Sequence, residues 1–350
     1  MNMNELFAVV AQEKASDLLI TAGAPPILRI DGELFRMRAE VLTAKQTREL
    51  VYGMLTTEQR LHFERNKELD FSMAADRKTR FRVNVYYQKG ALAAAFRPIP
   101  CKIPTLGELG LPSALTDLAM ARQGLVLVTG PTGSGKTTTL AALLDVINAR
   151  RSCHVISIED PIEYVHEHRR SIVDQREIGD DTDSFPTALK YVLRQDPDVI
   201  MIGEMRDLET IQAALTAAET GHLVFATLHT NDAVQTIDRV VDVFPPIQQQ
   251  QIRFQLSMVL VAIVSQRLIP RHSGGGRVLA CEIMYKNGAI ANLIREQKSH
   301  QVYSVMETSI REGMVTMDRS LKELFNTGLI SREEAIALMR NPKELQRPGE

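Results

Sequence analysis

The stretch 124–148 constrains the fold more than any other part of this chain. Residues 125–128 form a short apolar run that is typical of a buried strand. The sequence GPTGSGKT at 130–137 follows and matches the phosphate-loop pattern GxxxxGK(S/T) in full. Residues 138–147 then show the apolar spacing of a helix packed on a sheet. A strand, a glycine-rich loop and a helix in this order predict a phosphate-binding site in an α/β fold.

The loop contains the groups that phosphate binding requires. Its glycines let backbone N–H groups turn toward a phosphate, and the helix adds a partial positive charge at its first turn. The Lys136 ammonium can reach the β- and γ-phosphates, and the Thr137 hydroxyl can hold Mg²⁺. The alternative is a glycine-rich turn that matches by chance. We predict that ATP and Mg²⁺ bind here through Gly130, Pro131, Thr132, Gly133, Ser134, Gly135, Lys136, Thr137 and Thr138.

Composition excludes several other classes of protein. A length of 350 residues predicts one very large domain or two ordinary ones, and a hydrophobic content of 44% allows a full core. The net charge of −2 lacks the basic excess of a nucleic-acid-binding protein. Cys101, Cys153 and Cys281 lie far apart, which argues against a cysteine zinc module or a disulfide scaffold. The start does not resemble a signal peptide, and the longest apolar run, 258–264, is too short to span a bilayer, so we expect a cytoplasmic protein.

Prolines and glycines between 98 and 112 suggest a boundary between two domains. We predict a small α/β domain at 1–98, a linker at 99–113 and a second domain at 114–350, with a helical region from about 286 onward. In the second domain, strands at 155–158, 198–202 and 223–228 alternate with helices at 184–195 and 207–220, which predicts a mostly parallel sheet. Beyond them we predict a long helix at 248–268, a strand at 278–284 and helices at 289–296, 318–325 and 332–339.

The predicted strands of the second domain each run into polar residues. Ligands of parallel sheets bind beyond the carboxyl ends of the strands, and these ends meet at one edge. We therefore expect one cluster at that edge, formed by Lys136, Glu159, Glu163, Glu204 and His229.

Transfer of a phosphoryl group to water also needs a carboxylate that positions or deprotonates the water. Glu204 follows a strand as a Walker B acid does and could help to hold Mg²⁺, although Gly203 takes the usual aspartate position. Alternatively, it is a surface acid paired with Arg206. Glu163 belongs to a cluster of three carboxylates at 159–163 and is our candidate general base, the alternative being a solvated turn.

Basic groups could complete the site. His222 and His229 bracket a strand, and either could hydrogen-bond the γ-phosphate, whereas a lone histidine is usually structural. Arg80, Arg82 and Arg97 lie on or near paired strands and could act as arginine fingers. The alternative is that these arginines form an ordinary basic face of a strand, or a face that contacts nucleic acid. Judged by charge alone, this alternative is favoured over arginine fingers.

Four segments, in this order, make the chain resemble the secretion ATPases. GPTGSGKTTTL (130–140), ISIEDPIEYVH (156–166), LRQDPDVIMIGEMRDLETI (193–211) and TGHLVFATLHTNDAVQTIDRVVDVFP (220–245) are similar to their Walker A, Asp, Walker B and His boxes. With SDLLITAGAPPILRIDGEL (16–34), RFRVNVYYQKGALAAAFRPIP (80–100) and GRVLACEIM (276–284), they most resemble the type IV pilus retraction ATPases, the motors of twitching motility.

This resemblance implies a homohexameric ring of subunits, each with a PAS-like amino-terminal domain and a RecA-like ATPase domain. Such a ring acts on the inner-membrane platform of the pilus machine, peripheral to the membrane and with no direct nucleic-acid partner. Ala291 replaces the arginine of a retraction-motor stretch usually written AIRNLIRE. Matching positions in the family also imply roles for single residues. Lys136 and Thr137 would bind nucleotide and Mg²⁺, Glu163 would be the catalytic base, and Glu204 would be the Walker B acid. His222 and His229 would form the His-box pair, and Arg82 and Arg97 would contact the phosphates.

Other interpretations stay open from the sequence. Extension and secretion ATPases usually carry an extra amino-terminal domain and a four-cysteine metal module, which this sequence lacks; an accessory retraction motor is harder to distinguish. RecA-like rings also translocate nucleic acid, so a nucleic-acid-dependent ATPase is a different class to consider. A third is a scaffold that binds ATP without hydrolysing it.

Overall fold

Residues 2–30, 32–75, 79–99 and 102–345, which the computed structural model describes, divide between two units. The first unit comprises Met1–Lys102 and the short segment Pro161–Val165, and the second comprises Ile103–Asp160 and His166–Glu350. Leu106 and Leu111, in the region where we predict a linker, are buried in a core of the second unit because their side chains are apolar. Cys101 and the neighbouring Pro100 of that region lie outside the described residues.

The first unit is an antiparallel sheet with helices packed on it. Its strands lie in the order β3-β2-β1-β6-β5-β4, and every neighbouring pair is antiparallel. Phe7 of the first helix stacks on Phe81 with 4.2 Å between ring centroids, which ties helix and sheet into one core. The elements are α1 (Met3–Gln12), β1 (Asp17–Ile20), β2 (Ile27–Ile30), β3 (Glu33–Arg36), α2 (Ala44–Tyr52), α3 (Thr57–Asn66), β4 (Glu68–Ala74), β5 (Arg80–Gln88) and β6 (Ala91–Ile99).

The second unit contains a seven-stranded sheet in the order β13-β12-β7-β11-β10-β8-β9. All neighbouring pairs are parallel apart from β12 and β13, so the predicted mostly parallel sheet is confirmed. Its elements are α4 (Leu115–Ala119), β7 (Gly124–Thr129), α5 (Lys136–Arg150), β8 (His154–Glu159), β9 (Ile172–Glu177), α6 (Phe185–Val192), β10 (Val199–Ile202), α7 (Leu208–Glu219), β11 (Leu223–Leu228), α8 (Ala233–Asp242), α9 (Pro246–Val259), β12 (Leu260–Pro270), β13 (Arg277–Tyr285), α10 (Gly288–Arg295), α11 (Val302–Thr308), α12 (Met317–Asn326) and α13 (Arg332–Leu338).

Both faces of this sheet are buried, and β7 shows why. Successive side chains of a strand point to opposite faces. Leu125 and Leu127 therefore pack into a core on one face, while Val126 and Val128 pack into a core on the other. A strand buried on both sides needs an unbroken apolar run, which is what the sequence has at this position.

The predicted helix at 248–268 is wrong in its second half. Helix α9 ends at Val259, and the chain continues directly as strand β12 beside β7. The run 258–264 is rich in β-branched residues, and from Leu260 onward all of its side chains except the half-buried Val261 are buried. It therefore has the composition of a buried strand but no period that separates it from a buried helix. The hydrogen-bonding edge of β7 decides the outcome.

The carboxy-terminal region is helical, as predicted. Helices α10, α12 and α13 correspond to the three predicted there, while α11 was not predicted. Met317, Leu321 and Ala335 form a small core with Ile269 of β12. Within the part of the chain that the structure describes, no helix is both long enough and apolar enough to cross a membrane.

Candidate active site

The glycine-rich loop between β7 and α5 has the backbone geometry that its sequence predicts. Gly130 has φ +143°, and a Cβ there would collide with the Gln266 carbonyl oxygen of the neighbouring strand. Gly135 has φ +90° and directs the chain into α5, whose start receives no side-chain cap from any described residue. The first N–H groups of the helix are therefore left for another acceptor, and the loop forms a cradle suited to a phosphate.

Lys136 and Ser134 place polar groups within this cradle. The Lys136 side chain is buried, and its ammonium donates to the carbonyl oxygens of Gly130 at 2.9 Å and Pro131 at 3.1 Å. The Ser134 hydroxyl is also buried and has no hydrogen-bond partner among the described residues. A buried hydroxyl without a partner is costly, which an anion bound in the loop would relieve. The donor set therefore fits a nucleotide phosphate.

The structure brings an acid and an imidazole to the loop. Glu204 follows β10 and His229 follows β11, while the loop follows β7, and these three strands are neighbours in the sheet. The Glu204 Oε1 lies 2.9 Å from His229 Nε2, and His229 Nδ1 lies 3.5 Å from the Thr132 hydroxyl of the loop. A carboxylate, an imidazole and a loop hydroxyl thus form a continuous polar chain at the carboxyl edge of the sheet. The expected meeting of Glu204 and His229 with the loop is confirmed.

Glu204 also forms an ion pair with Arg206, as the alternative interpretation of this acid requires, but it contacts His229 as well. The Arg206 guanidinium donates to Glu204 Oε1, and this hydrogen bond raises the pKa of Arg206. The Arg206 side chain is 76% exposed, whereas that of Glu204 is only 20% exposed. The acid therefore lies at the boundary between solvent and the loop, with one partner on each side.

The packing of β8 explains why a glycine stands where a Walker B aspartate is usual. A Cβ on Gly203 would lie 3.2 Å from the Ile158 carbonyl oxygen and 3.3 Å from the Glu159 Cα. Both atoms belong to the backbone of a central strand, so neither can move away easily. The acid is consequently carried by the next residue.

We expect Gly203→Ala to lower the free energy of unfolding by about 1–3 kcal/mol, because the added methyl group overpacks the contact with β8. Urea denaturation would measure this change. Gly288→Ala is the matched control, since a Cβ there meets no atom within 4 Å, and we expect its effect to stay within about 0.5 kcal/mol. Equal stabilities of the two variants would contradict this account of Gly203.

Glu159 ends β8 and is held inside the protein. Its Oε1 accepts hydrogen bonds from the Ser157 hydroxyl at 2.6 Å and from the Gln175 amide at 3.1 Å. With 3% exposure, its carboxylate is fixed by these neighbours. This arrangement supports a structural role for Glu159 more than a role as the water-activating base.

His222 does not join the cluster around His229 within one subunit. It precedes β11, whereas His229 follows it, so about 20 Å of strand separates their positions. The His222 Nδ1 lies 3.0 Å from the Ala217 carbonyl oxygen and 3.2 Å from the Thr220 hydroxyl, at the end of α7. Its place at the amino edge of the sheet gives it a helix-end contact, and a catalytic role for it stays a prediction.

Arg82, Arg97 and Glu163 come together in the first unit. They line a cavity of about 280 Å³ with Ile99, Ile162 and Tyr164. Arg82 and Arg97 are direct cross-strand partners on β5 and β6, and Arg80 lies opposite Ile99, which confirms that the three arginines lie on paired strands. The candidate base and the two candidate fingers therefore share one cavity. That Glu163 also lies close to Lys136 stays a prediction.

Two acids that the sequence analysis missed make the arginine pair possible. Like charges opposite each other on a sheet repel. The Arg82 guanidinium binds Asp70 at 2.7 Å, and that of Arg97 binds Asp17 at 2.8 Å. Only the pairing of β4 with β5 and of β1 with β6 reveals these contacts, and no local sequence signal marks either acid.

Comparison with known proteins gives consistent results across nearly the whole chain. Residues 102–328 match the family model described as Type II/IV secretion system protein. The Type IV pilus retractation ATPase PilT of Pseudomonas aeruginosa is 51% identical over 335 residues, which cover 96% of this chain and 97% of that protein. The Type IV pilus ATPase PilU of the same organism is 43% identical over 346 residues, covering 99% of this chain and 91% of PilU. A crystal structure of the pilus retraction motor PilT with bound ADP matches with a TM-score of 0.93 and 50% identity over 99% of each chain.

These similarities bear out the fold expected from the sequence. They include the amino-terminal α/β domain, the ATPase domain and the helical tail, because the matched PilT structure covers all three. The bound ADP of that relative agrees with the phosphate cradle described above. The chain belongs to the type II/IV secretion system protein family and is a nucleotide-binding ATPase of its PilT group.

Proposed function

We propose that this chain is a hexameric, ATP-hydrolysing motor that drives the retraction of type IV pili. The observation that carries this proposal is the chain of contacts from Glu204 through His229 to the loop residue Thr132. It gives the loop an acid and an imidazole on adjacent strands, where the terminal phosphoryl group of ATP would lie. A site that only stores nucleotide has no need of this arrangement.

Each group has a task in the proposed reaction. The loop N–H groups and the Lys136 ammonium bind the phosphates, and His229 can donate a hydrogen bond to the terminal phosphate. Glu163 accepts a proton from the attacking water as general base. The Thr137 hydroxyl and the Glu204 carboxylate are hard oxygen ligands of the type that Mg²⁺ prefers, the latter through water. When bound, Mg²⁺ neutralises phosphate charge.

Arg82 and Arg97 are proposed to face the phosphates when the first domain closes on nucleotide. Their ion pairs with Asp70 and Asp17 keep two like charges side by side on one strand pair. The Arg82 side chain is 44% exposed, so its guanidinium can leave Asp70 for a phosphate at little cost. Closure on ATP and opening after hydrolysis would then convert chemistry into movement.

We expect Arg82→Ala to reduce the ATPase rate at least about tenfold, because a positive charge against the developing negative charge is lost. Its exposed ion pair is worth less than about 1 kcal/mol, so circular dichroism and the melting temperature should change little. Arg36→Ala is the control, since Arg36 is exposed on β3 and does not line the cavity. A normal rate for Arg82→Ala would make Arg82 an ordinary strand residue.

The proposed ring lies at the cytoplasmic face of the inner membrane, where the pilus platform is its partner. Identity to the retraction ATPase PilT is 51% and identity to the pilus ATPase PilU is 43%, which supports retraction as the role of this chain. Ala291, which replaces an arginine of the retraction-motor stretch, is 7% exposed on α10. A small side chain suits this inward position.

Deletion of the gene, followed by imaging of individual labelled pili, tests the proposed function. We expect pili to extend but not to shorten, and retraction to return with the wild-type gene but not with Glu204→Ala. Normal shortening in the deletion strain would refute a main retraction role. A stimulation of ATP hydrolysis by single-stranded DNA would instead favour a nucleic-acid motor.

A further inference from the structure

Glu282 is a buried carboxylate that the proposed reaction does not use. It lies on β13 and is 2% exposed. Its Oε1 accepts a hydrogen bond of 2.8 Å from the backbone N–H of Ala233. Ala233 is the first residue of α8, the helix that begins four residues after His229. Burying a carboxylate is costly, so a carboxylate kept at this place indicates a specific use.

The same carboxylate faces the start of a second helix. Burial raises the pKa of Glu282 to about 7, while the backbone N–H groups of Ala233 and Met317 act in the opposite direction. Met317 is the first residue of α12 in the carboxy-terminal region. Glu282 therefore accepts from the segment that carries His229 and also interacts with the beginning of a tail helix.

The position of Glu282 in the sheet links it to the phosphate loop. Glu282 is the cross-strand partner of Ser265 on β12, and Ser265 is the partner of Thr129 on β7. The Thr129 hydroxyl donates to the Ser265 hydroxyl at 2.9 Å, directly before the loop begins. One row of side chains thus runs across three strands from the loop to the support of α8.

The segment between His229 and α8 is itself hydrogen-bonded and can transmit this support. The Thr230 and Thr236 hydroxyls are 2.6 Å apart, and Asp232 accepts from the Gln235 N–H at 2.7 Å. A displaced helix start would therefore carry His229 with it.

We infer that Glu282 is a positioning residue for His229, which it holds in place by fixing the first residue of α8. The inference rests on the proposed function. Glu282 is buried and acts on the site only through the start of α8.

Steady-state ATPase assays on the full chain with the variant Glu282→Gln test this inference. Glutamine keeps the shape of the side chain but replaces one of the two acceptor oxygens of the carboxylate by an NH₂ group, which donates. We expect kcat to fall about tenfold, as for the loss of one catalytic group, with KM and the affinity for ADP within about threefold of wild type. Asp318→Asn is the matched control: Asp318 is also 2% exposed and accepts from the N–H groups of Arg340 at 2.8 Å and Asn341 at 2.7 Å. We expect it to lower stability but not kcat of the folded protein.

A double-mutant cycle with His229→Ala separates positioning from general destabilisation. If Glu282 acts through His229, Glu282→Gln should lower kcat no further once the imidazole is gone. An equal loss in both backgrounds, a matching loss in Asp318→Asn, or a normal kcat for Glu282→Gln would overturn the inference.

If Glu282→Gln does not fold, Ala233→Pro removes the donated N–H at a helix position that tolerates proline, and the same cycle applies. A wild-type chain that does not hydrolyse ATP would overturn the proposed function and this inference together, whereas an active wild type confines any failure to Glu282.

Discussion

Replacing Lys136 by alanine is expected to weaken ATP and ADP binding at least about 100-fold, the largest effect among these predictions. The ammonium lies inside the loop and donates to two of its carbonyl oxygens, so it supports the cradle, and in the proposed reaction it also binds the phosphates. A charge-assisted hydrogen bond contributes about 1.5–3 kcal/mol, and two such contacts account for the expected loss. Titration with a fluorescent ADP analogue would measure it.

Two further variants sharpen this test. Lys136→Arg keeps the charge but brings a planar fork into a space shaped for a compact ammonium, so we expect it to bind poorly as well. Lys190→Ala removes an exposed lysine on α6 and should bind like wild type. An affinity of Lys136→Ala within about threefold of wild type would show that the loop is not the phosphate site.

Replacing Glu204 by alanine is expected to leave ATP bound while hydrolysis falls at least about tenfold, because one catalytic group is lost. The carboxylate is the acceptor for His229 Nε2, so its removal also frees the imidazole at the loop. Phosphate release in single-turnover experiments, with nucleotide binding measured in parallel, would separate the two effects.

Arg206→Ala is the control that decides between the two interpretations of Glu204. If the acid were only a surface partner of Arg206, the two variants would behave alike and both would stay close to the wild-type rate. We expect Arg206→Ala to keep at least about half of the rate, because the Arg206 side chain is largely exposed. Full activity in Glu204→Ala would leave the polar chain from Glu204 to the loop without a catalytic purpose.

Much of the ATPase domain could be predicted from local patterns. A phosphate loop needs a strand, glycines and a helix next to one another in the chain, so its residues lie side by side in the sequence. Parallel strands share one edge for their carboxyl ends, which was sufficient to bring Glu204 and His229 to the loop. The same rule explains why His222, at the other end of β11, does not join them in one subunit.

Where long-range pairing decides, the sequence alone was insufficient. The apolar run 258–264 suits a buried helix or a buried strand equally, and only the hydrogen-bonding edge of β7 makes its residues from Leu260 onward a strand. The ion pairs of Arg82 and Arg97 depend on strand registers that join residues 12 and 80 positions apart. The sequence by itself therefore determined the phosphate loop, the strands that lead into Glu204 and His229, and the family. The tertiary structure decided which side chains share a site, because contacts between distant residues depend on which strands become neighbours, and local composition does not encode this.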